Sequence, residues 1–372
     1  MEEILDDTLD DTLDNTEAQD SSSEDTEETV SISKRRKTPP SATYYIGTGD
    51  KLPSRYDNRL PFGLPYLDYV IGGGIRRGCI SIISGDAYSG KSTMALGLAA
   101  NASNPVYIDS EGTLDREIME LRGVLHAHVY QPPDLQSMMC IAEEHIGEEH
   151  DLIVMDSPSL CYPSAFDNSK SGVASLKGTA GDEPPLGIGS RYFNNFIRRV
   201  NALLRQNQHT ALVIIQHTRT DLAIGSYGPP KKVLALGREQ LFAADLHIRC
   251  SGEQIKYAVP SPGGENKTTK KYVAVALRCH WAIEKIRGSQ NSIGSGSFVI
   301  GLVDWDPYEA GKIYIDDERI RYLSAIGAIV PSGAYYDTPL GRVHGRAALR
   351  EMLCEQWDEI IEKLNVSQEE SE

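Results

Sequence analysis

The chain has 372 residues, with 53 acidic and 37 basic side chains and a formal charge of −16. Its 40% hydrophobic and 24% charged residues are typical of a soluble globular protein with one large domain and a smaller one. It has no apolar run of about 18 residues and no basic-then-apolar N-terminus, so we expect neither a membrane span nor a signal peptide.

The negative charge is concentrated at the two ends of the chain. Residues 1–30 hold thirteen Asp and Glu with no Lys or Arg, and the last six residues hold three more. The remaining 37 acidic residues are balanced by 37 basic ones. A charge of −16 would argue against a partner as acidic as nucleic acid, but a neutral body does not exclude one.

The six cysteines are scattered and form no C-x-x-C pair. This pattern predicts reduced thiols in the cytoplasm rather than a disulfide framework or a zinc site.

Residues 1–33 are predicted to be a disordered acidic tail, since they are too polar to fold alone. The Leu-Asp-Asp-Thr sequence of residues 5–8 recurs at 9–12, which favours either a solvated tail or a helix formed on a partner. Residues 34–56 form a basic and proline-containing linker. Its basic cluster 34–37 could contact phosphate, act as a nuclear import signal or serve as a tether. Its strand-prone segment 43–46 is either a polymerisation arm or part of its own domain.

Between residues 57 and 315 the pattern predicts an α/β fold. Apolar strand-like runs alternate with helix-like stretches at 92–101, 134–147 and 191–206, so we expect a mainly parallel central sheet covered by helices on both faces. The strand-like runs before residue 240 are 79–83, 106–108, 152–155 and 211–215. The later runs, 244–249, 272–277 and 297–303, have no helices between them and predict an antiparallel continuation.

A small C-terminal α/β subdomain is expected at residues 316–366, followed by an acidic tail at 367–372. Apolar residues recur there at helical spacing and predict a packing face: Leu349, Leu353, Trp357, Ile360 and Leu364.

A phosphate-binding loop is predicted between the first strand and the first helix of the core. The segment reads Gly85-Asp86-Ala87-Tyr88-Ser89-Gly90-Lys91-Ser92-Thr93, which fits G-x-x-x-x-G-K-[ST]. Glycines let backbone N–H groups surround phosphate oxygens at a helix N-terminus. Lys91 would reach the β- and γ-phosphates of ATP, and Ser92 would bind Mg²⁺.

Two carboxylates follow later strands and complete the predicted site. Asp156 ends the strand at 152–155 and is a candidate for holding the water shell of Mg²⁺. Glu111 follows the strand at 106–108 and could deprotonate the attacking water. Because parallel strands in an open sheet bind ligands at their carboxyl ends, we expect these groups to share one crevice.

The order of these motifs resembles the RecA family of strand-exchange recombinases, and most closely the bacteriophage UvsX type, from about Pro61 to Gly345. The lead-in segments 63–68 and 72–78, the phosphate loop and the segment 108–115 carry the resemblance, with later landmarks at 306–308 and 333–336. The resemblance implies a RecA-like P-loop ATPase core. It places Glu111 at the catalytic glutamate and Asp115 at the adenine contact.

The resemblance also implies a γ-phosphate sensor and cations that act across a subunit interface. The sensor falls on His217, with the adjacent Gln216 as a competitor. Lys285 and Arg287 fall on the two cations that reach the γ-phosphate bound by a neighbouring subunit, so hydrolysis would depend on assembly.

Two long segments without regular pattern, 158–188 and 218–238, lie where the family has its DNA-binding loops. Leu186 and the pair Ile224-Gly225 would be apolar wedges between bases, and basic residues would contact DNA phosphates. The basic candidates are Arg191, Arg198, Arg219, Lys231 and Lys232.

The sequence thus predicts a DNA-dependent ATPase that uses ATP and Mg²⁺ and forms a helical filament on single-stranded DNA. It would pair that strand with homologous duplex DNA in recombination, repair and recombination-dependent replication. Expected partners are DNA, further copies of the chain and a single-strand-binding protein or loading mediator, with no membrane. If the chain is phage-encoded, it would act in the cytoplasm of the bacterial host. Two alternatives remain: a hexameric RecA-fold helicase, and a recombination mediator with little ATPase activity.

Overall fold

The computed structural model describes residues 58–147, 149–163, 188–221, 231–259, 271–287 and 294–369. The strands are β1 (Arg59–Leu60), β2 (Ile75–Arg76), β3 (Ile80–Gly85), β4 (Pro105–Asp109), β5 (His128–Tyr130), β6 (Leu152–Asp156), β7 (Ala211–Asp221), β8 (Lys231–Leu234), β9 (Leu246–Val259), β10 (Lys271–Ile286), β11 (Ser295–Gly301), β12 (Ile313–Tyr314), β13 (Val330–Ser332), β14 (Tyr335–Thr338) and β15 (Gly341–His344). The helices are α1 (Pro65–Ile71), α2 (Lys91–Asn101), α3 (Arg116–Leu121), α4 (Leu135–Glu144), α5 (Ile188–Gln206), α6 (Glu239–Ala243), α7 (Asp316–Ala325), α8 (Gly345–Glu355) and α9 (Trp357–Glu369).

A ten-stranded sheet forms the centre of the fold. Its order is β12-β11-β10-β9-β3-β7-β6-β4-β5, and β8 pairs with β7 outside that path. From β9 to β5 all neighbouring strands are parallel, whereas β9 to β12 and the β7–β8 pair are antiparallel. The predicted fold class, a mainly parallel sheet with an antiparallel continuation, is confirmed.

The parallel strands are apolar on both faces because helices cover both. In β7, Val213 and Ile215 pack into one hydrophobic cluster, and the alternating Leu212 and Ile214 pack into another. The first cluster includes α1 and α2, and the second includes α4, α5 and α6. Two-sided burial explains why these strands are continuous apolar runs instead of alternating ones.

The helices follow the expected apolar spacing, with shifted bounds. The helix predicted at 134–147 ends at Glu144, and the helix predicted to begin at 191 begins at Ile188. In α5 the buried residues recur every three or four positions and face the sheet. They are Phe193, Phe196, Ile197, Val200 and Leu204.

Parallel register aligns the carboxyl ends of the central strands. Gly85 of β3 pairs with His217 of β7, and Asp109 of β4 pairs with Asp156 of β6. The residues that follow these strands therefore meet at one edge of the sheet, which we call the carboxyl edge. The opposite edge, where β3 begins at Ile80, is called the amino edge.

The C-terminal residues form a small α/β subdomain with its own core. The subdomain consists of α7, the three-stranded sheet β13-β14-β15, α8 and α9. Leu349, Leu353 and Ile360 are fully buried in its core, and Trp357 and Leu364 pack against them. The apolar positions predicted to share a packing face do so on two helices, since the first ends at Glu355 and the second begins at Trp357.

One buried carboxylate joins this subdomain to the sheet. Glu318 of α7 is fully buried, and its Oε1 accepts a hydrogen bond of 2.7 Å from Trp281 Nε1. Its Oε2 accepts one of 3.1 Å from the backbone N–H of Leu67. Burial raises the pKa of Glu318 to about 7, although the two hydrogen bonds oppose that rise.

The predicted acidic tail 1–33 and linker 34–56 lie outside the described residues. Among the helices that the structure describes, none combines the length and the apolar character needed to cross a membrane.

The raised pKa of Glu318 predicts that the stability of the folded chain depends on pH. Because its pKa is raised in the folded state, the folded chain binds the proton more tightly, so stability is lost as pH rises towards 7. Glu318→Gln cannot titrate. We expect wild type to lose on the order of 2 kcal/mol relative to this variant between pH 5 and pH 8.

Urea unfolding at the two pH values measures this difference. Exposed Glu351→Gln is the control, and its stability should follow wild type at both values. Identical pH dependence in wild type and Glu318→Gln would contradict the assignment.

Candidate nucleotide site and subunit interface

The phosphate loop joins the end of β3 to the start of α2. Gly90 is the N-cap residue of α2, with a φ of 83°, and a Cβ there would lie 2.6 Å from Cys279 Sγ. At Gly85 a Cβ would overlap the carbonyl oxygen of Cys250. Both positions therefore require glycine, and the loop places backbone N–H groups at the N-terminus of an eleven-residue helix.

Lys91 is held inside this loop. Its side chain is 6% exposed, and Nζ donates a 2.7 Å hydrogen bond to the carbonyl oxygen of Asp86. The Ser89 hydroxyl donates to the same oxygen at 2.8 Å. Burial lowers the pKa of Lys91, and the carboxylates of Asp156 and Glu111 oppose this shift. The arrangement places one ammonium where a triphosphate chain would lie.

Asp156 is buried, and one of its two carboxylate oxygens lacks a partner among the described residues. It is 2% exposed, and its Oδ2 accepts a 2.7 Å hydrogen bond from the Tyr107 hydroxyl. Its Oδ1 is buried with no partner among the described residues. Burial raises the pKa of Asp156, whereas hydrogen bonds from Tyr107 and Ser92 lower it. An unpaired carboxylate oxygen beside Ser92 fits Mg²⁺, which binds one or two protein oxygens together with phosphate and water.

Asp109 shapes the turn that presents Glu111. One Asp109 oxygen accepts N–H bonds from Glu111 and Gly112, and the other accepts from Leu114, all at 3.0 Å. Gly112 has a φ of 64°. Asp109 is not among the residues that the sequence predicts for the site. An aspartate at a strand end followed by a glycine is the signal that could have indicated this turn.

Glu111 and His217 meet above the phosphate loop. His217 Nε2 lies 2.9 Å from Glu111 Oε1, and both side chains are about one quarter exposed, at 23% and 25%. The two residues come from β7 and the turn after β4, so the aligned strand ends bring them together. The pair is open enough for a ligand to enter and close enough for His217 to respond to the charge on Glu111.

Gln216 points away from this pair. Its side chain is fully buried, and its Nε2 donates a 3.0 Å hydrogen bond to Gln240 Oε1 in α6. Gln240 in turn donates to the carbonyl oxygens of Ala235 and Gly237. Of the two candidate sensors, only His217 is directed at the predicted catalytic carboxylate, and Gln216 is part of a buried network behind it.

The phosphate loop is linked to the segment after β7 through Asp86. Its Oδ1 accepts a 2.5 Å hydrogen bond from Thr218 Oγ1, and its Oδ2 forms an ion pair with Lys232 Nζ. The hydrogen bond from Lys232 is the main reason that the pKa of Asp86 is lowered. Lys232, a predicted DNA contact, is thus bonded to the phosphate loop.

Lys285 and Arg287 lie at the amino edge, away from the phosphate loop of their own chain. Lys285 pairs with His247 at the start of β9, and Arg287 follows the end of β10. Lys285 Nζ donates to the Leu241 and Ala244 carbonyl oxygens, and Arg287 donates to that of Phe242 at 2.9 Å. Burial lowers the pKa of Lys285, and the charge of Arg287 adds to this shift.

Residues two apart in an extended segment share one face, and Lys285 and Arg287 both direct their side chains at the carbonyl end of α6. A register shift lies between Ile283 and Lys285, and Arg287 is outside β10. The two side chains meet because both bind the carbonyl end of α6. A group at this edge cannot serve the phosphate loop of its own chain, since the length of β3 separates them.

The other predicted residues are dispersed. Asp115 is the N-cap of α3, and its Oδ1 accepts from the Ile118 N–H at 2.7 Å. Tyr88 is 84% exposed on the phosphate loop. Arg191 and Arg219 are exposed, and Arg198 lies 3.7 Å from Glu239. The wedges Leu186, Ile224 and Gly225 lie outside the described residues, as does the side chain of Lys231.

The sheet order and the phosphate loop define a RecA-like α/β fold, and sequence comparison agrees. The chain is 29% identical over 216 residues to the RecA protein of Thermus thermophilus, covering 55% of this chain and 60% of that protein. It is 30% identical over 224 residues to the RecA protein of Aquifex aeolicus, covering 58% and 60%. To the mitochondrial DNA repair protein recA homolog 3 of Arabidopsis thaliana it is 25% identical over 310 residues, covering 80% and 65%.

The core of the chain is thus similar in sequence to RecA proteins. The chain spans about 60% of the length of the curated bacterial RecA proteins it matches. The crystal structure of the RadB recombinase aligns with a TM-score of 0.42 at 17% identity, covering 65% of this chain and 96% of that one. No family model matches the chain.

Proposed function

We propose that the protein is an ATP-dependent DNA recombinase that assembles as a filament on single-stranded DNA and promotes strand exchange with homologous duplex DNA. The observation that carries the proposal is the contact of Glu111 with His217 at the mouth of the phosphate loop, on the strand that leads into a predicted DNA loop. Relatives that include RecA proteins and a DNA repair protein support the same role.

In the proposed reaction, ATP binds with its phosphates around the loop 85–93 and along Lys91. Glu111 accepts a proton from the attacking water, and the hydrogen bond to His217 fixes the direction of its carboxylate. Magnesium, when bound, neutralises charge on the transferring phosphoryl group, and Ser92 and Asp156 are the residues that would hold it.

DNA would control this reaction through β7 and β8. Thr218 and Lys232 bind Asp86. Displacement of the segment between these strands would therefore change the position of Asp86 and of the phosphate loop. We assign DNA phosphate contacts to Arg191, Arg198, Arg219 and the basic start of β8. Wedge residues in the loops would hold the bound strand extended.

A neighbouring copy would complete each nucleotide site. Lys285 and Arg287 project from the amino edge of one protomer and would reach the phosphates bound at the carboxyl edge of the next. The order of segments favours the UvsX type and hence a phage-encoded protein that acts during recombination, repair and recombination-dependent replication. A single-strand-binding protein or a loading mediator would be its further partner.

Glu111→Gln should retain ATP binding and lose hydrolysis. Removing the base is expected to lower the DNA-stimulated rate by about 10²-fold or more, while Lys91→Ala should abolish the rate and weaken binding. Phosphate release with and without single-stranded DNA measures turnover, and a fluorescent ATP analogue measures affinity. Glu120→Gln, an exposed carboxylate on α3, is the matched control. A DNA-stimulated rate that is unchanged in Glu111→Gln would refute the catalytic assignment.

His217→Ala and Gln216→Ala should have different consequences. We expect His217→Ala to lower DNA stimulation by about tenfold or more without changing the melting temperature, because its contact with Glu111 is at the open site. Gln216→Ala should lower the melting temperature, because it removes the buried bond to Gln240. Loss of DNA stimulation in Gln216→Ala, with normal stimulation in His217→Ala, would exchange the two roles.

A further inference from the structure

A second basic cavity lies at the amino edge of the sheet. It has a volume of about 220 Å³, and its lining is Asn58, Arg76, Arg77, Gly78, Cys79, Asn201, Arg205, Gln208, Ala243 and Arg287. Gly78 and Cys79 directly precede β3, whereas the phosphate loop follows the end of this six-residue strand. The two sites are therefore separated by roughly 20 Å of extended chain.

Four arginines line this cavity, and their charges are only partly neutralised. Arg77 forms a 3.2 Å ion pair with Asp151, which is almost fully buried. Arg76 and Arg205 have no ion pair with any carboxylate among the described residues, and Arg287 contacts only backbone carbonyl groups. Asp245 is the second acidic side chain near the cavity, and Lys285 adds a further positive charge beside it.

The pKa of the Cys79 thiol is affected by the same charged groups. Burial is the largest influence and raises its pKa, and the charge of Asp245 adds to that rise. The charges of Arg76, Arg287 and Arg59 all lower it. Three guanidinium groups thus act on one point of the cavity wall.

The carbonyl end of α6 carries partial negative charge and would repel an anion that binds in the cavity. The Phe242 carbonyl accepts a 2.9 Å hydrogen bond from Arg287, so this negative end is already compensated. Arg76 and Arg205 have no side-chain hydrogen bond or ion pair within the described part of the chain, so their donors are available to a ligand.

We propose that Arg76, Arg205 and Arg287 form a second phosphate-binding pocket, which takes a diphosphate-sized anion. Guanidinium groups match phosphate oxygens in pairs, and the cavity is too small for a drug-sized organic ligand. The anion has two sources: free diphosphate, or the phosphate chain of a nucleotide on a neighbouring copy. The second source rests on the proposed function and would add Arg76 and Arg205 to the cations that act across the interface.

Calorimetric titration of inorganic diphosphate into dilute Lys91→Ala protein tests the first source, because that variant has lost the lysine of its phosphate loop. Arg76→Gln and Arg205→Gln are introduced into this background separately. We expect each to weaken diphosphate binding by about tenfold. Arg199→Gln is the matched control, since Arg199 lies on the same helix as Arg205 but is paired with Glu143 at 2.7 Å.

Steady-state hydrolysis on single-stranded DNA tests the second source, with Arg76→Gln and Arg205→Gln in an otherwise wild-type chain. A raised KM for ATP in both, with Arg199→Gln unchanged, would support binding of a neighbour's nucleotide even if dilute protein takes no diphosphate. Loss of diphosphate binding in both variants supports the pocket even if the protein hydrolyses no ATP. Unaltered diphosphate binding together with unaltered KM would overturn the proposal.

Discussion

The parallel register of the central strands is the constraint on which the candidate site depends. Gly85 is level with His217, and Asp109 is level with Asp156 two residues earlier along the strands, so everything that follows them emerges at one edge. The apolar character of those strands on both faces fixes this register, because a shift by one residue would exchange the residues of the two hydrophobic clusters. The phosphate loop, the Asp156 carboxylate and the Glu111–His217 pair are consequences of that alignment.

The same sheet divides the charged groups between its two edges. At the carboxyl edge Lys91 lies near the carboxylates of Asp156 and Glu111, and Lys232 pairs with Asp86. At the amino edge arginines line the second cavity. The charge of a bound triphosphate would be neutralised by Lys91, by magnesium and, in the proposed assembly, by a neighbouring amino edge. In the proposed assembly each copy contributes a different edge to the contact, which makes the assembly head-to-tail.

Much of this architecture could be predicted from the sequence, because apolar runs and glycine positions are local signals. The strands, the phosphate loop and the carboxylates that follow later strands are of this type. The burial of Gln216 was not predictable, since it depends on Gln240, a partner 24 residues away in sequence. The contacts of Lys285 and Arg287 with the end of α6 were not predictable either, since the carbonyl groups they bind lie 44 and 45 residues earlier in sequence.

Two contacts made by charged residues also could not be predicted from the sequence. Lys232 is predicted to contact DNA, and its ion pair with Asp86, which forms because β8 folds back on β7, has no signal in that segment. In the sequence Asp109 has the pattern of an ordinary strand end, although its carboxylate accepts hydrogen bonds from three backbone N–H groups of the following turn. Both depend on how the chain turns after a strand, which is decided by hydrogen bonds rather than by apolar spacing.

The central claim is that a nucleotide site is completed by the neighbouring copy, and mixing two inactive variants tests it most directly. Lys91→Ala disables the phosphate loop and keeps the amino edge, and Lys285→Ala/Arg287→Ala, provided that it still binds a fluorescent ATP analogue, has the reverse defect. Each variant alone should fail to hydrolyse ATP on single-stranded DNA, and an equal mixture should recover about one quarter of the wild-type rate, since random assembly joins an intact loop to an intact amino edge at that frequency. A mixture as inactive as its components, or an active Lys285→Ala/Arg287→Ala variant, would contradict the account.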